Sequence, residues 1–345
     1  MMPDIRSYTP EQLQEYLVSI GEPKFRANQL FEWLHKRHVS SFDEMTNLSK
    51  DLRKKLGQNT ALTTLSPLEC RISNEDDTRK YLFALADGNI IESVRMKYHY
   101  GNSVCISSQA GCRMGCRFCA STIDGLSRNL TASEMLEQIY AIERDLGEPV
   151  GHVVIMGSGE PLDNFDNLIA FLQLISHPQG KNLSHRNITV STCGIVPKMY
   201  ELADMHLQIT LALSLHGATQ EKRAALMPVA NKYHINEVID ACGYYFKTTG
   251  RRMTYEYSLV AGVNDTDEDA SQLIKLLSGA QGHVNLIPVN PIEERDFVQP
   301  SAKAAMAFKN KLEKNGLNVT IRREMGRDIN GACGQLRRSF IKENE

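Results

Sequence analysis

A chain of 345 residues with 42% hydrophobic and 23% charged residues has a globular composition, long enough for one large domain plus a small accessory one. A formal net charge of -2 gives no overall attraction for a polyanion, so any nucleic-acid binding must use a local basic face. There is no apolar run of about 18 residues, and the stretch MMPDIRSYTPEQLQEYL is acidic early with no apolar core. These features exclude a membrane-spanning helix and a secretory signal, and the expected location is the cytoplasm.

Residues 1–75 read as a small helical accessory domain. Leu13, Tyr16 and Leu17 recur at helical spacing, as do Leu30, Trp33 and Leu34, and Ser7, Thr9 and Pro10 supply a start signal. The run Lys50-Asp51-Leu52-Arg53-Lys54-Lys55 is basic, which by itself describes a solvated face. Residues 76–102 read as a β-hairpin extension: RKYLFAL, an Ala-Asp-Gly-Asn turn, then IIESVRM. Alternation puts Ile90, Glu92, Val94 and Met96 on one face. Glu92 interrupts that apolar stripe and is either an edge residue or a functional acid or base.

Over 103–325 strands and helices alternate. VCISS, HVVIM, ITVST, ITLALSL, MTYEYSLV, HVNLIPV and NVTIR read as strands; TASEMLEQIYAIERDL reads as a helix opened by a capping box from Thr131 to Glu134. Repeated βα units predict an α/β fold with a parallel sheet, doubly wound or rolled into a barrel. About six units fall short of the eightfold barrel, so a partial barrel fits. In either architecture ligands bind at the carboxyl ends of the strands. Residues 326–345 form a polar carboxyl-terminal segment, with Arg322, Arg323, Arg327, Arg337 and Arg338 in and around it.

Eight cysteines in such a chain do not describe a disulfide framework. In CRMGCRFC, Cys112, Cys116 and Cys119 follow the first barrel strand at CxxxCxxC spacing. Three thiolates leave the fourth iron of a cubane cluster open, free to chelate the amino and carboxylate groups of S-adenosylmethionine (SAM). A structural zinc site wants four protein ligands, and Cys105 could be the fourth, so counting leaves both readings open. Phe118 either covers the cluster or fills a core.

The other strand ends are polar. MGSGEPLDN follows the second strand; its Gly157 and Gly159 let backbone approach a ligand, and Glu160 offers a carboxylate to an ammonium group. Ser191 ends the third strand, Ser214 and His216 the fourth, and Asn290 the sixth. Each alone reads as a turn or cap residue; together with the cysteine loop they describe a cofactor pocket. Cys333, in RDINGACGQLRR, is an inert small residue or a reactive thiol in a loop that Gly331 and Gly334 permit.

CISSQAGCRMGCRFCAS, MGSGEPLDN, SLH followed by LMP, AGVND and DINGACGQL, in that order, resemble the RlmN/Cfr family of radical SAM RNA methylases, and the resemblance covers essentially the whole chain. It implies a partial (β/α)6 barrel of the radical SAM type, a [4Fe-4S] cluster on Cys112, Cys116 and Cys119, and two SAM molecules per turnover. It also implies SAM contacts from Gly159, Glu160, Ser191, Ser214, Leu215, His216 and Asn290, and a monomer served by an electron donor such as flavodoxin or ferredoxin. The implied substrates are an adenosine in the peptidyl-transferase region of 23S rRNA and the adenosine beside the anticodon of tRNAs. By the same resemblance, Cys333 would be methylated and carry the carbon, Glu92 would accept the C2 proton, and Cys105 would release the product by pairing with Cys333. Pro161 resembles the C2-methylating branch of the family; methylation at C8 is the alternative within it. Ser158, Asp163, Asn330 and Gly331 depart from the family's commonest residues. A zinc-stabilised RNA-binding protein without catalysis is the alternative from another class.

Overall fold

A computed structural model describes residues 2–290 and 295–329. The helical start is α1 (Pro10–Ser19), α2 (Arg26–His35) and α3 (Lys50–Asn59). Thr9 caps α1 through a capping box with Gln12, and Pro10 opens the helix where its missing N–H costs nothing. This region shares the main core: Ile5, Leu13, Leu30 and Phe31 belong to the same apolar cluster as Leu136 and Ile139. Arg6, fully buried, joins the two by pairing with Glu137 and donating to the carbonyl of Thr63 at 2.6 Å.

Four antiparallel strands follow: β1 (Pro67–Ile72), β2 (Arg79–Ala84), β3 (Ile90–Tyr98) and β4 (Gly101–Ile106). The expected hairpin is β2–β3, and it widens the barrel sheet at β4. The sequence reading has no strand at β1, whose apolar Leu68 and Ile72 are exposed while the charged Glu69 and Arg71 are half-buried, the reverse of the usual strand pattern. The short strands β5 (Gln109–Gly111) and β6 (Leu126–Asn129) pair antiparallel as a separate ribbon that brackets the cysteine loop.

From there helices and strands alternate: α4 (Ala132–Leu146), β7 (Val150–Ile155), α5 (Phe165–Ser176), β8 (Ile188–Thr192), α6 (Val196–Asp204), β9 (Thr210–Ser214), α7 (Gln220–Leu226), α8 (Ile235–Thr249), β10 (Met253–Leu259), α9 (Asp267–Leu276), β11 (Gly282–Pro288), α10 (Ala302–Lys314) and β12 (Val319–Ile321). The Thr131–Glu134 box caps α4 as expected, and Gly147 ends it in the left-handed conformation at φ 64°. The ten-stranded sheet runs β1-β2-β3-β4-β7-β8-β9-β10-β11-β12, parallel from β4 onward. This is the partial barrel: a curved parallel wall with helices outside and edges at β1 and β12 rather than closure.

Past β12 the chain crosses the open side. Met325 packs against the cluster of Val94, Met96 and Cys105, Gly326 donates its N–H to Asp76 at 3.0 Å, and Asp328 accepts from the Asn74 N–H at 2.9 Å. No helix among the described residues is long and apolar enough to cross a membrane.

Candidate active site

The carboxyl ends of β4, β7, β8 and β9 surround one cavity. Cys112, Cys116, Cys119 and Phe118 line it from the cysteine loop, Gly159 and Glu160 from the turn after β7, and Ser191, Ser214 and His216 from the next two strand ends. Residues as far apart in sequence as Cys112 and His216 thus meet because parallel strands deliver every strand end to one rim. Leu215 and Asn290 are not in this lining. The Leu215 side chain is fully buried and its N–H donates to the Glu256 carbonyl at 2.9 Å; Asn290 is half-buried beyond β11. Cys333 lies outside the described residues, as do Asn330, Gly331 and Gly334.

The two glycines of MGSGEP serve the chain's own packing. A Cβ on Gly157 would stand 2.7 Å from the Ile106 carbonyl oxygen; one on Gly159, at φ +109°, would stand 2.6 Å from Gln109 Cβ. The turn after β7 therefore lies directly on the exit of β4, and only glycine permits it. That contact orients Glu160. Its N–H donates to Gln109 Oε1 at 2.8 Å, and its carboxylate accepts from the N–H groups of Cys193 at 2.7 Å and Leu162 at 3.0 Å. Burial raises the Glu160 pKa above the ordinary carboxylate value, against the pull of those two hydrogen bonds. An incoming ammonium would supply the missing cation.

Asp163, one of the residues that departs from the family pattern, clamps this turn to the cysteine loop. It accepts from Arg113 Nε at 2.9 Å and from Gln109 Nε2 at 3.0 Å. His216 has φ 53°, in the left-handed region, and its Nδ1 accepts the Ser258 N–H at 2.9 Å. The ring's other nitrogen therefore carries the proton. Burial, with Arg223 adding to it, pushes the His216 pKa down to about 3, so the ring stays neutral and presents a fixed donor. Phe118 stacks edge-on against it at 4.6 Å. The Ser191 and Ser214 hydroxyls are 3.4 Å apart.

The thiols suit a polynuclear cluster. Burial pushes Cys112 up to about 12 and raises Cys116 as well, each further opposed by its neighbouring thiols and Glu160. Iron would supply the positive charge that lets them ionise. Thiolates spread around a cavity fit a cubane, in which each binds a different iron. Cys105, the fourth ligand of the zinc reading, lines no part of the cavity and sits instead with Val94 and Met96.

Glu92 is not an edge residue. It is buried on β3 between β2 and β4, and Lys80 Nζ lies 3.4 Å from its Oε2. Val94 is the β-partner of Cys105, so Glu92 stands just beyond the carboxyl end of β4, where the Ser107 hydroxyl donates to its carbonyl at 2.8 Å. The sequence reading missed Thr192 and Cys193, which also line the cavity. The available signal was Ser-Thr-Cys-Gly directly at the end of β8. It also missed Lys80, for which no local signal exists.

This arrangement of fold and rim defines a radical SAM enzyme. A model of the radical SAM superfamily matches residues 106–277, and one described as the ribosomal RNA large subunit methyltransferase N-terminal domain matches residues 4–62. The chain is 59% identical over 342 residues to a probable dual-specificity RNA methyltransferase RlmN of Lachnospira eligens, covering 99% of this chain and 98% of that one. It is 53% identical over 341 residues to the protein of the same description from Clostridium perfringens, covering 99% and 98%. A crystal structure of a radical SAM methyltransferase from Sphaerobacter thermophilus superimposes with a TM-score of 0.93 at 40% identity, covering 96% of this chain and 98% of that one. The chain belongs to the RlmN family of SAM-dependent methyltransferases, enzymes that work with a [4Fe-4S] cluster and SAM.

Proposed function

We propose that this enzyme methylates C2 of an adenosine in the peptidyl-transferase region of 23S rRNA, and the adenosine 3′ to the anticodon of tRNAs, through a methylated Cys333. The observation that carries this reading is the single cavity shared by Cys112, Cys116, Cys119 and the polar strand ends, whose Met156 also packs with the cluster that holds Cys105, in a chain so similar to RlmN proteins. Bound in the cavity, the cluster and SAM would supply a 5′-deoxyadenosyl radical. Two SAM molecules would be used per turnover, one for the methyl group and one for the radical.

The chain's own residues would divide the remaining work. Glu160 would hold the SAM ammonium, while Ser191, Ser214 and His216 fix the rest of the molecule. Cys333 would carry the carbon to the RNA. The segment leading to it passes Cys105, since Met325 packs there, and this supports the pairing of the two thiols. Glu92 would take the C2 proton. The Cys105 thiolate would then attack the Cys333 sulfur, so that an S–S bond forms as the S–C bond to the bridging methylene breaks; the electron pair of that bond stays with the carbon, which takes up a proton and is released as a methyl group on the RNA. Lys50, Arg53 and Lys54, which line a groove on the helical region, are candidates for phosphate contacts, as is Arg322.

The test is the Cys105→Ala variant with an rRNA fragment and SAM under reducing, anaerobic conditions. The expected result is a covalent protein–RNA adduct through Cys333, with 2-methyladenosine from the wild type. Normal turnover without adduct would refute the two-thiol scheme; 8-methyladenosine would refute the C2 assignment.

A further inference from the structure

Among the described residues three arginines are fully buried: Arg6, Arg95 and Arg223. Two have carboxylate partners, Glu137 for Arg6 and Asp77 for Arg95. Arg223 differs. Its Nη2 donates to the Cys193 carbonyl at 2.6 Å, but Nε and Nη1 are buried without a partner among the described residues. The acidic groups that act on it are thiols: Cys193, Cys116 and Cys242. A guanidinium cannot escape this cost by losing its proton. An uncompensated buried charge of this kind is among the more destabilising features a fold can carry, and no carboxylate among the described residues pairs with it, which points to a bound group as its counter-charge.

The position of Arg223 says which group. It lies on α7, the helix behind the cysteine loop. The Leu226 carbonyl on that helix accepts the Arg117 N–H at 2.9 Å, and Leu226 and Met227 pack with Cys116, Phe118 and Cys193. A Cβ on Gly194 would stand 3.3 Å from Arg223 Nη2, so the guanidinium presses on the Cys193–Gly194 turn, whose Cys193 lines the cavity from the other side. The cation is therefore one residue layer from the place assigned to the cluster, in a region with little water to screen it.

We infer that Arg223 is the buried counter-charge of the iron–sulfur cluster, offsetting the negative charge of the three thiolates and making the cluster easier to reduce. This rests on the assignment of the cluster to Cys112, Cys116 and Cys119. The charge acts on the cluster through space, so Arg223 is a positioning and tuning residue rather than one that touches substrate. The loaded enzyme is the state in which this positive charge is balanced.

The test compares wild type, Arg223→Met and Arg223→Lys. Each is studied without iron and after anaerobic reconstitution, by iron and sulfide content, thermal melting and an EPR-monitored redox titration in the absence of SAM. The ligand-free Arg223→Met protein should melt no lower than wild type, because an unpaired charge has been removed. After reconstitution its melting temperature should rise by less than that of wild type. Its reduction equilibrium should shift against the reduced cluster by about tenfold, which for one electron is about 59 mV lower. Arg223→Lys should keep most of the wild-type potential. Equal destabilisation of the ligand-free and loaded forms with an unchanged potential would make Arg223 a packing residue and overturn the inference. A potential unchanged without SAM but shifted when the titration is repeated with SAM would overturn it in favour of a contact to the SAM carboxylate. Wild type that takes up no iron would overturn the cluster assignment, and the inference with it.

Discussion

Replacing Glu160 by Gln tests the core of the site, because its two effects fall on different measurements. The Glu160 carboxylate accepts two backbone N–H groups, from Leu162 at 3.0 Å and from Cys193 at 2.7 Å. Gln has the same shape but one acceptor, so its amide NH2 must face one of those donors, at a cost of roughly 1–3 kcal/mol. Against this, burial already raises the Glu160 pKa, so at neutral pH the charged form carries a desolvation cost that the amide lacks. The two terms oppose, and the ligand-free variant should melt within about 5 °C of wild type, given roughly 2–4 °C per kcal/mol in chains of moderate length. Nothing offsets the loss on the ligand side. A hydrogen bond to a charged group contributes about 1.5–3 kcal/mol, and each 1.4 kcal/mol is about tenfold in Kd, so SAM should bind the reconstituted variant about 10- to 150-fold more weakly. Anaerobic equilibrium dialysis against labelled SAM, beside melting of the ligand-free protein, measures both. A Kd within about twofold of wild type would show that Glu160 does not face the ammonium and would refute the reasoning.

Two further outcomes are expected. Lys80→Met removes the ammonium 3.4 Å from the buried Glu92 carboxylate. Breaking a buried pair in this way costs about 3–5 kcal/mol, so denaturant unfolding should show a loss of that order, and the Lys80→Met/Glu92→Gln double variant should recover most of it; equal losses in both would place the cause elsewhere than in charge. Stability should also fall in mild acid. The folded pKa of His216 is pushed to about 3 and that of buried His35 is likewise lowered, so below the ordinary value of 6.5 the unfolded chain binds protons that the folded one does not. Each such histidine removes about 1.4 kcal/mol of stability per pH unit below 6.5. Unfolding titrations between pH 7 and 5 should therefore show a shallower slope for His216→Gln, by one proton; identical slopes would mean that His216 is not buried in its neutral form.

How much of this was legible in the sequence depends on distance along the chain. The cysteine loop was readable because its three thiols fall within eight residues and need no fold to bring them together. Glu160, Ser191, Ser214 and His216 were readable one step removed, since strand periodicity predicted parallel strands and parallel strands put their carboxyl ends on one rim. The purpose of Gly157 and Gly159 was only half visible: the sequence announced a close approach, and the structure identifies the partner as the exit of β4. Lys80 and Glu92 meet diagonally across the β2–β3 register, in which Leu82, not Lys80, is the β-partner of Glu92. No local pattern encodes such a pair. Arg223 in QEKRAAL looks like any cation on a surface helix.

The sequence alone determined the chemistry on offer: three clustered thiols, a carboxylate after a glycine turn, hydroxyls at strand ends, and two further cysteines far apart. These depend on residue type and short spacing, which folding does not alter. Only the tertiary structure decided which of them share a cavity, that Cys105 stands apart from the other three, and that the segment toward Cys333 passes Cys105 across the open side of the barrel. It also decided which buried charges are balanced. Burial and partnership are properties of elements packed together, and a cation such as Arg223 acquires its meaning only from what surrounds it.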